Sequence, residues 1–410
     1  MYYPVTSYRI QFHKDFNFDK FSAICDYLCK LGVATIYASP LFSAVPGSTH
    51  GYDVTDANRI NHEIRKQEQL IKLSEDLHAN GVGWMQDIVP NHMAYHINNQ
   101  WLMDVLARGP ESSYSSYFDI DRQHPDFNGK LMLPVLDKPL DEAIDSGAFQ
   151  IALSNGRPVI KFNNVAYPIN EASIPEDKTI VDWLQQINTS TKLLSELLAK
   201  QYYQFSYWKE TNEHINYRRF FIINGMICLN VQNEETFIAY HRLVQEIKKE
   251  GVIDAVRIDH IDGLDDPTEY LYRLRNLLGD DTYIVAEKIL EPDERLPEYW
   301  PIQGTTGYDF IPLVNNLMTN NSGIIILRRF YNELVGQTSA DREILEKKNL
   351  ILHNYMAGEL DNLLRLLPRT ISSGKSLSDE RLKAAIALFL VHFPVYRFYS
   401  NTYLLDETEK

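Results

Sequence analysis

The sequence predicts an α/β protein built on a barrel of parallel strands. Two observations carry this: short apolar strands alternate with amphipathic helices, and polar residues gather where the strands end. A parallel barrel gathers all its strand C-termini around one mouth, so polar residues at those ends converge there. Tyr8 to Phe12 reads as a strand, Asp19 to Leu31 as an amphipathic helix closed by Gly32, and Ala34 to Ala38 as a second strand ending in Ser39-Pro40. Gln67 to Ala79 reads as a helix stopped by Asn80-Gly81, and Val82 to Val89 as a third strand ending at Pro90-Asn91-His92.

From Met93 to about Tyr207 the rhythm breaks into turn-rich sequence with strands around Phe149 to Ala152 and Val159 to Phe162 and a helix from Ile187 to Ala199. This stretch reads as an insertion after the third strand. Alternation resumes with helix Glu234 to Glu250, strand Ile253 to Ile258, helix Pro267 to Leu278 and strand Thr282 to Ala286. A sixth strand is expected near Gly307 to Phe310, then helices Gly323 to Leu334 and Ala340 to Leu367, a loop at Ser372 to Ser378, helix Glu380 to Val391 and a late strand at Val395 to Tyr399. The expected organisation is residues 1–92 as the first part of a barrel, 93–207 as an inserted subdomain, 208–318 as its continuation and 319–410 as a mainly helical segment leading to a late strand. A closed barrel of this kind takes about eight strands, so closure is not accounted for.

Composition narrows the function. The 40 basic and 55 acidic side chains leave a net charge of −15, which opposes a phosphate backbone and excludes the usual electrostatics of nucleic-acid binding. An aromatic share of 12%, with 25 Tyr and 5 Trp, suits flat ligands edged with hydroxyls. Cys25, Cys29 and Cys228 form no disulfide framework; the first two fall one helical turn apart and read as core residues, with no neighbour to complete a metal site. No metal and no cofactor are expected. The N-terminus lacks a basic region followed by an apolar run, and the longest apolar stretch, Ala384 to Val395, is interrupted by His392 and Pro394, so a cytoplasmic protein without a membrane span is expected.

Four strand ends carry groups able to do chemistry. Arg257 and Asp259 lie two residues apart at the end of one strand, so both point to the same face and the guanidinium is expected to hold the carboxylate ionised, as a glycosidic nucleophile requires. Glu287 follows the apolar Ile284-Val285-Ala286, an apolar wall that would raise its pKa. Adjacent strands lie ~4.8 Å apart, near the carboxylate separation used in retaining glycosyl transfer. Asp87 is placed to orient Arg257 and His92 to donate to a sugar hydroxyl, while Asn91 as a calcium ligand is the weaker reading. Gly51 lets the backbone bring His50, Tyr52 and Asp53 into a cleft, with Tyr52 under a sugar ring. Each piece alone also reads as an ordinary ion pair or turn; a barrel would place all four around one mouth.

Asp87 to His92, Arg257 to His260 and Glu287 resemble, in order, the first three signature regions of the α-amylase superfamily. Pro46 to Asp53, Asn216 to Phe221, Arg257 to Leu264, Glu287 to Leu290 and Gly304 to Phe310 are similar to the maltooligosyltrehalose synthases. The resemblance implies a (β/α)8 TIM barrel of the α-amylase type, incomplete at the C-terminus, with an insertion after strand 3 and a helical one after strand 6. It implies conversion of the reducing-end α-1,4 bond of a maltooligosaccharide to an α,α-1,1 bond, with Asp259 as nucleophile and Glu287 as acid and then base. Tyr52, His92 and Arg257 would hold the sugar, Asp87 would brace Arg257, and His50, Asp53, His260 and Lys288 are further substrate contacts. The superfamily's third carboxylate would follow the segment matched by Phe393 to Tyr399; Asp406 lacks that context and is not assigned the role. Three readings stay open: a trehalose-forming enzyme, either a truncated member or one half of a split protein whose missing strands a second chain supplies; an inactive remnant or glucan-binding protein; and an α-glucan hydrolase or 4-α-glucanotransferase.

Overall fold

Six parallel strands stand side by side in chain order: β1 (Ser7–Ile10), β2 (Thr35–Ala38), β3 (Gly83–Ile88), β4 (Ala255–Ile258), β5 (Tyr283–Ala286) and β6 (Gly304–Thr305). The computed structural model describes residues 2–175, 179–337, 339–367 and 378–400. Parallel neighbours in sequential order need a crossover at every step. Helices Gln67–Ala79, Glu234–Lys249 and Pro267–Leu278 supply three of them. The last begins where its sequence says: the Asp266 side chain accepts from the Glu269 N–H at 2.9 Å, and Pro267 occupies the first turn, where a missing N–H costs nothing.

The two-residue period of these strands builds the site in layers. Met85, Ala255 and Val285 form a buried apolar cluster packed by Tyr2, Tyr37 and Tyr283. Two residues further on, Asp87, Arg257 and Glu287 share that face. The alternate residues Trp84, Val256 and Ile284 are buried on the opposite face. There Phe12 stacks on Trp84 with ring centres 6.0 Å apart, against Phe18 and Phe21 of the following helix.

Between β3 and β4, Phe149–Ser154, Arg157–Phe162 and Val165–Pro168 form an antiparallel sheet, and Leu131–Leu136 pairs parallel with Tyr203–Tyr207. Arg219–Phe220 and Ile223–Cys228 form a hairpin whose second strand pairs with His92–Ala94, binding this region to the end of β3.

Packing divides the chain into two units, one of Met1–Trp208, Asn216–Lys288 and Leu296–Thr306, the other of Lys209–Ile215, Ile289–Arg295 and the chain from Gly307. The second is helical among the described residues: Phe310–Leu317, Asn321–Val335, Ala340–Asn354, Ala357–Leu366 and Asp379–His392. Its first three helices bury no residue, and apolar side chains such as Leu317, at 83% exposure, face outward.

Several expectations need correction. The sixth strand is Gly304–Thr305, not Gly307 to Phe310, because Phe310 opens a helix. Val395 to Tyr399 has no strand, and the loop expected from Ser372 lies, up to residue 377, outside the described residues, as does Asp406. The helix expected over Asp19 to Leu31 is two, Phe18–Ser22 and Cys25–Leu31, as is that over Ala340 to Leu367. The helix expected from Ile187 is likewise split, into Ile180–Asn188 and Thr191–Ala199, because Ser190 caps the second start. Cys25 and Cys29 are half-buried rather than core; only Cys228 is buried. Among the described residues no helix is long and apolar enough to cross a membrane.

Candidate active site

Arg257, at the end of β4, organises the site. Its Nη1 donates to Asp87 Oδ1 at 2.8 Å and to Asp259 Oδ1 at 2.7 Å, and its Nη2 lies 3.0 Å from Glu287 Oε1. Three carboxylates from the ends of β3, β4 and β5 thus share one guanidinium. The parallel register sets Asp87 beside Arg257, which makes the first of these contacts unavoidable.

Asp87 is wholly buried and its second oxygen is satisfied by Tyr52 Oη at 2.6 Å, Tyr37 Oη at 3.2 Å and Arg9 Nη1 at 3.4 Å. Arg9 and Tyr37 were not expected here. They are register partners on β1 and β2, and an arginine and a tyrosine inside short apolar strands were the available signal.

Asp259 departs from expectation. Burial pushes its carboxyl up, to about 7, against the pull of Arg257 and helped by the Asp87 and Glu287 charges. At 6% exposure the lost hydration outweighs one guanidinium shared three ways. Besides Arg257, Glu287 accepts the His260 N–H at 2.9 Å.

His92 is buried, and burial lowers its imidazole to about 3, which keeps it neutral. Its ring packs on Phe220 at 4.4 Å between centres. His260 takes a left-handed backbone, φ 47°, between the rings of Phe220 and Phe221. Lys288, expected as a substrate contact, is fully buried, with Nζ 3.1 Å from Asp262 Oδ2. Asp53 is tied to its own loop by Ser48 Oγ, which donates at 2.5 Å, and His50 lies half-exposed beside Tyr52. Gly51 is required, since at φ 79° an added Cβ would meet the Pro40 carbonyl at 2.7 Å.

Asn91 Oδ1 accepts from Arg218 Nη1 at 3.1 Å. Among the described residues no group of three or more His, Cys, Asp or Glu is placed to hold a metal ion.

Gly263 leaves the room in which Asn91 and His260 meet, because a Cβ there would fall under 3.0 Å from both. Gly263→Ala is expected to lower stability by about 1–3 kcal/mol in urea unfolding. An unchanged midpoint would show that this loop yields freely.

Within this setting, three carboxylates on one cation, a neutral buried imidazole and a tyrosine can bind a hydroxyl-rich glycoside and act on its acetal carbon. The family profile described as Alpha amylase, catalytic domain, matches residues 22–140. A Mycobacterium tuberculosis protein described as a putative maltooligosyl trehalose synthase is 33% identical over 97% of this chain and 49% of its own length. Among solved structures, maltooligosyltrehalose synthase from Arthrobacter ramosus superposes with a TM-score of 0.84 at 32% identity, covering 97% of this chain and 48% of its own. A structure described as DSM5389 glycosyltrehalose synthase gives 0.84 at 36% identity, covering 97% of this chain and 51% of its own. The chain spans about half the length of the curated relatives it matches. With the parallel sheet and the charged layer at its strand ends, these likenesses show an α-amylase-type fold, and over 97% of its length the chain is similar to maltooligosyl trehalose synthases.

Proposed function

We propose that this site serves the intramolecular rearrangement of a maltooligosaccharide, moving its reducing-end glucose from an α-1,4 to an α,α-1,1 bond. The supporting observation is the single Arg257 guanidinium that gathers Asp87, Asp259 and Glu287. In this reading Asp259 attacks the anomeric carbon of the penultimate unit while Glu287 gives its proton to the departing O4, leaving a β-glucosyl-enzyme and glucose. The glucose turns over in the pocket; Glu287 takes the proton of its anomeric hydroxyl, whose oxygen displaces Asp259. Two inversions restore the α configuration.

Tyr52, His92 and Arg257 hold the sugar whose bond is cleaved, Asp87 braces Arg257, and His50 and His260 lie at the edge of the site. The stretch 93–207 is read as an insertion after the third strand, and the helices after β6 as a second one. The strands needed for closure, with a third carboxylate, belong in this reading to polypeptide equivalent to the relatives' other half, whether the same chain or a second one. A cytoplasmic setting goes with the free Cys25, Cys29 and Cys228.

The test is incubation with maltopentaose, following reducing ends and free glucose together. Loss of reducing ends without matching glucose supports the rearrangement. Glucose release supports hydrolysis instead, and no change means that this chain alone does not carry the activity.

A further inference from the structure

Arg218 precedes the hairpin that pairs with His92–Ala94 and donates to four oxygens from separate parts of the chain. Its Nε reaches Asp119 Oδ2 at 2.7 Å, Nη1 reaches Asn91 Oδ1 at 3.1 Å and the Gly263 carbonyl, and Nη2 reaches the Leu229 carbonyl at 3.3 Å. The residue thereby ties the turn after β3 to the turn after β4.

A guanidinium has only donors, so the end of the Asn91 amide facing it must be the oxygen. The Nδ2 end is then turned the other way, 3.2 Å from His92 Nδ1 and 3.6 Å from Cys228 Sγ. An amide NH2 only donates, which leaves Nδ1 as the bare nitrogen of the ring. A neutral imidazole carries one proton, so it sits on Nε2. That atom is buried without a hydrogen-bond partner, and the main chain of Tyr52 lies within reach of the ring. Phe220, packed on the ring, opposes the flip that would exchange the two edges.

We propose that Arg218 is a positioning residue that sets the tautomer of His92 through Asn91, so that Nε2–H stands as a donor for a substrate hydroxyl. The final clause rests on the function proposed above; the tautomer does not. Nothing in the sequence links residue 218 to residue 92, since the relay exists only because the hairpin lies beside the end of β3.

The test is a long-range proton–nitrogen correlation spectrum of the 15N-labelled chain, with the His92 signals identified by their loss in His92→Gln. The chain itself is expected to show His92 with a bare Nδ1 and a protonated Nε2. In Asn91→Asp the side chain only accepts; one oxygen keeps Arg218 and the other demands a proton from Nδ1, so the two nitrogen signals exchange character. In Arg218→Met the amide is released and the two tautomers mix, and added guanidinium ion restores the original pattern. A protonated Nδ1 in the unaltered chain, or no change in Asn91→Asp, overturns the proposal. The maltopentaose assay separates the two ideas: the expected tautomers with no turnover leave the relay standing and count against the proposed function.

Discussion

Asp259→Asn is expected to abolish turnover of maltooligosaccharide and, above pH 7, to make the folded chain more stable. Removing a covalent nucleophile in well-studied hydrolases costs on the order of 10⁴–10⁶ in rate, because the amide cannot form the intermediate. The stability change has the opposite sign because burial raises Asp259 to about 7, whereas an unfolded aspartate titrates near ~3.9. Between those values the unfolded chain has released a proton that the folded chain retains. Stability therefore falls as pH rises through this window, and the loss levels off above about 7. Asparagine has no such titration, and Arg257 keeps Asp87 and Glu287 as partners. Urea unfolding of variant and parent at pH 5 and pH 8 reads the effect: the variant's advantage grows with pH. A variant less stable at pH 8 than at pH 5, relative to the parent, would falsify the raised pKa. Retained turnover removes Asp259 from the nucleophile's role.

The parts of the site that were legible are those written on single strands. Arg257 and Asp259 share a face because a strand repeats every two residues, and that could be read without knowing any neighbour. Asp87 against Arg257 needed only the parallel order of β3 and β4. What was hidden depended on distant pairings. Arg9 and Tyr37 reach Asp87 through β1 and β2, and Arg218 reaches Asn91 through a hairpin more than a hundred residues further along. Lys288, next to Glu287 in sequence, is buried against Asp262, a pairing that its own motif did not show. The Asp259 pKa was misjudged in direction because burial cannot be read from a motif. The sixth strand was missed because two residues, Gly304–Thr305, are too short for any period to show.

Arg257→Met is the stability test with the largest expected effect. Methionine fills much of the same length without charge, so the change isolates the cation. It leaves Asp87, which is wholly buried, and Asp259, at 6% exposure, as close carboxylates without their shared counter-ion. Removing one partner of a buried ionic cluster costs about 3–5 kcal/mol, mostly the penalty of the charges left behind. The loss is expected at pH 8 and shrinks in acid, where the orphaned carboxylates take up protons and no longer need a cation. Adding Asp87→Asn to Arg257→Met removes one of the stranded charges and recovers part of the loss, so the two substitutions are non-additive. Arg257→Lys falls between, since a single ammonium does not span the three carboxylates that Nη1 and Nη2 reach together. Urea midpoints at pH 5 and pH 8 for the four proteins decide it. A loss in Arg257→Met below about 1 kcal/mol, or one independent of pH, would mean that water replaces the guanidinium and that the carboxylates are not held by it.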